Sequence, residues 1–129
     1  MNSKHRFFIC KRCGNIVGLI IAGGGELVCC GENMSELVPN TVEASAEKHL
    51  PAVTVTGSTV NVQVGSVPHP MTEEHRISFV YLETERGGQR KNLKAGEEPK
   101  LTFGLTDGDK LAAVYAYCNL HGLWKTEIK

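Results

Sequence analysis

Four of the five cysteines lie within the first 30 residues, in two close pairs. Cys10 and Cys13 belong to a C-x-x-C-G motif, and the adjacent pair Cys29 and Cys30 follows after 15 intervening residues. Two residues between thiolates allow one tight turn to present both sulfurs to a single metal ion. Four sulfurs suit a tetrahedral zinc or iron ion, and ligand type does not separate these metals. Disulfides or free thiols are a third alternative. Because adjacent cysteines must splay their side chains to reach one ion, a distorted site is expected.

The fifth cysteine and four of the five histidines form a second candidate set. His69 lies between two prolines, which stiffen the backbone, and Cys118 forms a C-x-x-H pair with His121. With His49 and His75 they would provide four imidazoles and one thiolate. Five ligands leave the sixth position of an octahedral iron open, which is a reactive arrangement rather than a structural one. The alternative is a set of scattered surface histidines with one buried cysteine.

Composition limits the classes of function that these residues can serve. Fourteen basic residues balance 14 acidic ones over 129 residues, and this argues against a main role in binding nucleic acid. The longest apolar run is far shorter than the roughly 20 residues of a membrane-spanning helix. No segment has the length of a signal peptide's apolar region. We therefore expect a cytoplasmic protein, in which paired cysteines indicate metal ligation before disulfides.

The cysteine distribution divides the chain into two predicted domains. Residues 1–37 are too few for an independent hydrophobic core, and chains of this length usually need metals, disulfides or association. This part is interpreted as a small metal-stapled module. Pro39 is a plausible linker mark. Residues 38–129 form the second predicted domain.

The second domain is predicted to be built from β-strands. Valines alternate with polar residues on both sides of Gly57 and Ser58, which predicts a strand, a tight turn and a strand. Alternation at Ile77, Phe79 and Tyr81 predicts the next strand. Further strands are expected around Phe103, over residues 111–117 as a central strand, and around Trp124. A short helix is predicted only within residues 42–48. The fold class is therefore mostly β, with an immunoglobulin-like sandwich or barrel after the N-terminal module.

Taken in order, these motifs resemble those of the desulfoferrodoxins, a family of two-iron superoxide reductases. The resemblance covers nearly the whole chain. It is carried by C-K-R-C-G-N-I-V at 10–17, E-L-V-C-C at 26–30, N-T-V-E-A at 40–44, E-K-H-L-P at 47–51, H-P-M at 69–71, E-E-H at 73–75 and C-N-L-H-G-L-W at 118–124.

The resemblance implies two iron ions per chain. Residues 1–37 would be a desulforedoxin-like domain whose iron is held by Cys10, Cys13, Cys29 and Cys30. Residues 38–129 would be the catalytic domain, in which His49, His69, His75 and His121 ligate the second iron equatorially and Cys118 ligates it axially. The resemblance also implies that Glu47 occupies the open position in the oxidised resting state, with Lys48 beside it. His5 matches no ligand and is expected at the surface.

The activity implied by the resemblance is one-electron reduction of superoxide to hydrogen peroxide without release of dioxygen. Electrons would come from rubredoxin or a similar donor. Lys48 would add positive potential at the mouth of the site and attract the small anion. A homodimer is expected, because Ile16, Val17, Leu19, Ile20 and Ile21 are too many aliphatic residues for the small module to bury alone. Two alternatives remain: a pure electron-transfer protein that uses the four-cysteine iron, and a structural zinc-binding module without redox chemistry.

Overall fold

The structure, a computed structural model, describes residues 5–128. The chain divides into two compact units, with the boundary between Val38 and Pro39. In residues 5–128 no helix is long and apolar enough to cross a membrane.

Five short strands form the N-terminal unit. β1 pairs antiparallel with both β2 and β5, and β3 pairs with β4. The strands are β1 (Arg6–Ile9), β2 (Ile16–Leu19), β3 (Val28–Cys29), β4 (Glu32–Asn33) and β5 (Ser35–Glu36). Phe7 and Cys10 are the buried residues in the described part of this unit. So small a core cannot by itself offset the conformational entropy of folding, which agrees with a module stapled by a metal.

Seven strands and one helical turn form the second unit. They are α1 (Ala46–His49), β6 (Pro51–Thr56), β7 (Thr59–Val64), β8 (Ile77–Thr84), β9 (Gly87–Asn92), β10 (Lys100–Gly104), β11 (Leu111–Cys118) and β12 (Gly122–Glu127). One antiparallel sheet has the order β10-β7-β6 and the other the order β12-β11-β8-β9.

The two sheets bury a shared aliphatic core and so form a sandwich. The three-stranded sheet contributes valines of β7 and Phe103, and the four-stranded sheet contributes Val80, Leu82 and Val114. These residues occupy alternate positions because successive side chains of a strand point to opposite faces. The predicted mostly β class and sandwich architecture are confirmed.

The expected strands are present, and the turn between β6 and β7 falls at Gly57, whose φ of +62° suits glycine, as predicted. Three local differences remain. The helix is shorter than the predicted 42–48 and begins after Ser45, since the β-branched Thr41 and Val42 favour extended backbone. β9 was not predicted, because its sequence is polar without alternation. It is an edge strand, where charged residues are common.

The third difference is an irregularity in β8. Tyr117 pairs with Phe79, but Cys118 pairs with Ile77, so one extra residue of β8 opposes the end of β11. Such a bulge re-aims the side chains next to it. As a result Ile77, Val80 and Leu82 are the buried apolar residues of this strand, whereas the predicted alternation at Phe79 and Tyr81 leaves those two only partly buried.

Candidate metal centres

The four N-terminal thiols converge on one point. Cys10 and Cys13 flank the turn after β1, while Cys29 ends β3 and Cys30 lies in the turn before β4. All four sulfurs lie within 4.8 Å of one another, with 3.6 Å between Cys13 and Cys29 and 4.0 Å between Cys29 and Cys30. A tetrahedral ion with metal–sulfur bonds of about 2.3 Å has sulfur–sulfur edges of about 3.8 Å. The cluster therefore fits a single tetrahedral metal ion.

Local backbone geometry explains how the adjacent cysteines share one centre. Cys30 has a φ of +52°, in the left-handed region, and Gly31 follows with +76°. This turn of the backbone splays the side chains of Cys29 and Cys30, as expected for an adjacent pair. None of the five cysteines, all of which lie within residues 5–128, forms a disulfide.

The thiols of this cluster shift one another's pKa through hydrogen bonds. Backbone N–H groups of Cys13 and Arg12 donate to the sulfur of Cys10 and lower the pKa of its thiol to about 6. Hydrogen bonds to the sulfurs of Cys13 and Cys10 raise the pKa of Cys30 to about 12. Four thiolates can exist together at neutral pH only beside a cation. A bound cation would stabilise the thiolate forms, which agrees with the fit of the cluster to a metal ion.

A second cluster of titratable groups lies in the larger unit. His49 ends α1, His69 and His75 lie between β7 and β8, Cys118 ends β11, and His121 lies in the turn before β12. The ligand atoms of His49, His75, Cys118 and His121 lie within 4.8 Å of one another. His69 joins them through a contact of 3.1 Å between its Nε2 and that of His49.

The four imidazoles form a square. Neighbouring ring centroids are 4.6 Å apart for His49 and His69 and 4.7 Å for His69 and His75. The remaining sides are 5.0 Å for His75 and His121 and 4.9 Å for His121 and His49. Each neighbouring pair is edge to face, at 77° to 84°, and His49 faces His75 across the diagonal at 6.4 Å.

The hydrogen bonds of the rings show which nitrogens point inward as acceptors. Nδ1 of His49 donates to the carbonyl oxygen of Ser45 at 2.7 Å, and Nδ1 of His69 donates to that of Pro70 at 2.6 Å. A carbonyl oxygen only accepts, so each Nδ1 carries the proton and each Nε2 carries a lone pair. The two lone pairs nevertheless face each other at 3.1 Å. A cation between them would turn this repulsion into attraction.

Distances and burial support the same interpretation. Nε2 of His49 lies 3.1 Å from Nδ1 of His121 as well as from His69. The centre of a square with 3.1 Å sides lies about 2.2 Å from each corner, close to the roughly 2.0–2.1 Å of a zinc–imidazole bond. Nε2 of His75 is buried and has no partner within residues 5–128. Together the donors fit one metal ion.

The thiol of Cys118 completes this donor set from a fully buried position, with its sulfur 3.8 Å from Nδ1 of His121. Burial raises the pKa of Cys118, while backbone N–H groups of Leu120 and His121 oppose this by donating to the sulfur. Burial lowers the pKa of His49 and His75, and that of His69 to about 4. The imidazoles of His49, His69 and His75 are therefore neutral at pH 7, the form that binds metals.

Hydrogen bonds from one side chain to distant backbone groups hold two ligand segments together. The side chain of Asn119 accepts a hydrogen bond from N–H of Arg76 at 2.8 Å and donates one to the carbonyl of Glu74 at 2.9 Å. It therefore binds the backbone on both sides of His75. Sequence reasoning did not single out Asn119 as a functional residue. Its place in the motif at 118–124, next to a ligand candidate, was the available signal.

The other two predicted site residues are exposed. Glu47 and Lys48 lie in α1, directly before His49. The charge of Lys48 contributes, after burial and the neighbouring histidines, to the lowered pKa of His49 and of His75, so the ammonium lies near the cluster. His5 lies outside both clusters and is half-buried rather than exposed.

Two family models match the chain. One, described as "Desulfoferrodoxin", matches residues 41–127, and one described as "Desulfoferrodoxin, N-terminal domain" matches residues 3–37. The chain is 44% identical over 127 residues to the desulfoferrodoxin of Syntrophotalea carbinolica, covering 98% of this chain and 99% of the relative. It is 42% identical over 127 residues to that of Nitratidesulfovibrio vulgaris, with the same coverage.

Solved structures give a similar result. The superoxide reductase of Treponema pallidum superposes with a TM-score of 0.82 at 39% identity, over 97% of this chain and 100% of that one. The superoxide reductase (1Fe-SOR) of Giardia intestinalis superposes with a TM-score of 0.56 at 33% identity, over 64% of this chain and 98% of that one.

Proposed function

Because this chain belongs to the desulfoferrodoxin family, we propose that it is a superoxide reductase. The single observation that carries the proposal is the square of four imidazoles beside the buried thiol of Cys118. Imidazole and thiolate together suit iron, and five donors leave one octahedral position for a small ligand. The proposed ligands are His49, His69, His75, His121 and Cys118.

The protein is an oxidoreductase, and the specific reaction is part of the proposal. Superoxide takes up one electron and two protons and becomes hydrogen peroxide, without release of dioxygen. Iron bound at the second cluster would supply that electron, and a donor such as rubredoxin would return one to the protein. The Cys118 thiolate would push electron density onto a bound iron, as thiolate ligands do in haem proteins, and this would favour the transfer.

The residues around the cluster have separate proposed roles. The carbonyls of Ser45 and Pro70 hold the protons of His49 and His69 away from the centre. Lys48 attracts the anion, because its positive charge lies close enough to affect two of the histidines. Glu47 is the proposed carboxylate that takes the open position after the product leaves.

The four-cysteine site is the proposed first iron centre, within a domain of residues 1–37, while residues 38–129 form the catalytic domain. Cys13 and Cys30 are exposed, so an electron could enter or leave through this edge. The same exposure favours the second candidate, a pure electron-transfer protein.

Assembly and location complete the proposal. Ile20 and Ile21 are 91% and 80% exposed and follow the half-exposed strand β2. We expect this apolar surface to be covered in a homodimer. Light scattering would test it, and a 14.0 kDa particle at micromolar concentration would contradict it. Five free thiols agree with a reducing cytoplasm.

One experiment separates these functions. The protein is prepared without oxygen, its iron and zinc are quantified, and its absorption is followed while superoxide is added. Two irons per chain, and a new absorption band produced as superoxide is consumed and hydrogen peroxide forms, would support the reductase. Iron that cycles only with an electron-transfer partner, without loss of superoxide, would indicate the second candidate. Zinc alone would indicate a structural module.

A further inference from the structure

Trp124 is the single tryptophan of the chain, and it touches two of the four histidines from one place. Its buried indole stacks on the ring of His49, with centroids 4.9 Å apart and planes at 29°. Its Nε1–H donates to the carbonyl oxygen of His121 at 3.1 Å.

These two contacts act on neighbours in the square that come from distant parts of the chain. His49 and His121 are 72 residues apart, yet their inward nitrogens lie 3.1 Å from each other. The hydrogen bond from His49 to Ser45 leaves the ring free to tilt about that bond, and the indole face removes this freedom. The hydrogen bond to His121 holds the turn that presents its ring.

We propose that Trp124 is a positioning residue of the second metal site, which keeps His49 and His121 at the spacing that a metal ion requires. The inference rests on the metal ligation proposed above. Partners of this kind, which orient ligands without binding the metal, typically contribute 10–100-fold to metal affinity. Substitution of a purely structural core residue would change the stability of the fold without selectively weakening the second metal site.

The test uses the full chain with both sites loaded with iron. Trp124→Phe keeps a ring for stacking and removes the N–H donor, and Trp124→Leu removes both. Phe103→Leu, in the core of the same unit, is the matched control for the loss of a buried aromatic side chain. Competition with an iron chelator gives the affinity of each site, and the thiolate-to-iron absorption band reports the ligand field. The four-cysteine site is the internal reference.

In Trp124→Leu we expect the iron affinity of the second site to fall about 10–100-fold and its absorption band to shift. Trp124→Phe should show an intermediate effect. The four-cysteine site and Phe103→Leu should keep wild-type affinities. In the wild-type protein, Trp124 emission should change as the second site fills. If Trp124→Leu does not fold, Trp124→Phe decides alone.

Two outcomes would overturn the inference. Wild-type affinity and band position in the Trp124 variants would show that the indole does not hold the ligands. Equal weakening of both metal sites would show a general effect on stability. A wild-type protein that binds no iron at the second site would instead refute the proposed function itself, so the two failures are distinguishable.

Discussion

The backbone of Gly65 lies so close to that of Glu47 that the two residues leave no room for a side chain. A Cβ at position 65 would stand 2.5 Å from the carbonyl oxygen of Glu47 and 2.8 Å from the carbonyl carbon of Lys48. The same carbonyl of Glu47 accepts from N–H of Val67 at 2.9 Å and from the Ser66 hydroxyl at 3.2 Å. The turn after β7 therefore determines where α1 ends and where Glu47, Lys48 and His49 are placed.

Gly65→Ala is expected to destabilise the protein by about 1–3 kcal/mol, because the obstructing atoms are backbone and cannot rotate away. The displaced α1 should also slow the reaction with superoxide. Gly104→Ala is the matched control, since a Cβ there meets nothing within 4 Å and glycine in a strand costs backbone entropy. Denaturant unfolding measures both variants. Equal stability of the two would contradict the role of Gly65.

Cys13→Ser should separate the two metal sites. Removal of one sulfur leaves three donors for a tetrahedral ion, so the N-terminal iron should be lost. The second cluster shares no ligand with the first, and superoxide reduction with chemically supplied electrons should continue at nearly the wild-type rate. Metal analysis and pulse radiolysis check this. Complete loss of activity with the second iron still bound would contradict the assignment of superoxide reduction to the second cluster.

Cys118→Ser is the reciprocal variant. Serine replaces a soft, electron-donating thiolate with a poorer ligand at a fully buried position. We expect the four imidazoles to retain some iron. The thiolate-to-iron charge-transfer band of the second site should disappear, and nearly all activity should be lost with it. Absorption spectroscopy and a superoxide assay measure the result, with Cys13→Ser as the control for loss of a thiol. Normal turnover with an unchanged band would exclude Cys118 from the site.

Lys48→Ala tests electrostatic steering. Loss of an exposed positive charge near the cluster should slow the second-order reaction with superoxide about tenfold at low ionic strength, and salt should reduce this difference. Metal content and spectrum should not change, because the ammonium is not a proposed ligand.

Lys110→Ala is the charge-matched control for Lys48→Ala. Lys110 directly precedes β11, and Cys118 ends this eight-residue strand, so the two are roughly 25 Å apart. Pulse radiolysis of both variants across a salt series is the measurement. If both variants reacted at the wild-type rate with the same salt dependence, Lys48 would be an ordinary solvated lysine.

Much of this protein was predictable from local sequence. The C-x-x-C-G turn and the Gly57 turn depend on neighbouring residues, so spacing and residue type were enough to identify them. β6 and β7 followed from alternating valines, because side chains of a strand face opposite sides at every step. The desulfoferrodoxin family was predicted from its motifs and is confirmed. Glu47 and Lys48 remain predictions in their roles.

The geometry of the second site could not be predicted in this way, because its parts are distant in sequence. Only the packed sandwich brings His49 within 3.1 Å of His121, 72 residues away. The bulge opposite Cys118 depends on the pairing of β8 with β11, and it moved the buried face of β8 away from Phe79. Asn119 contacts the chain around His75, and Trp124 contacts His49, and no local pattern connects either pair. Such relationships come from strand register and close packing, which depend on the whole chain rather than on the spacing of neighbouring residues.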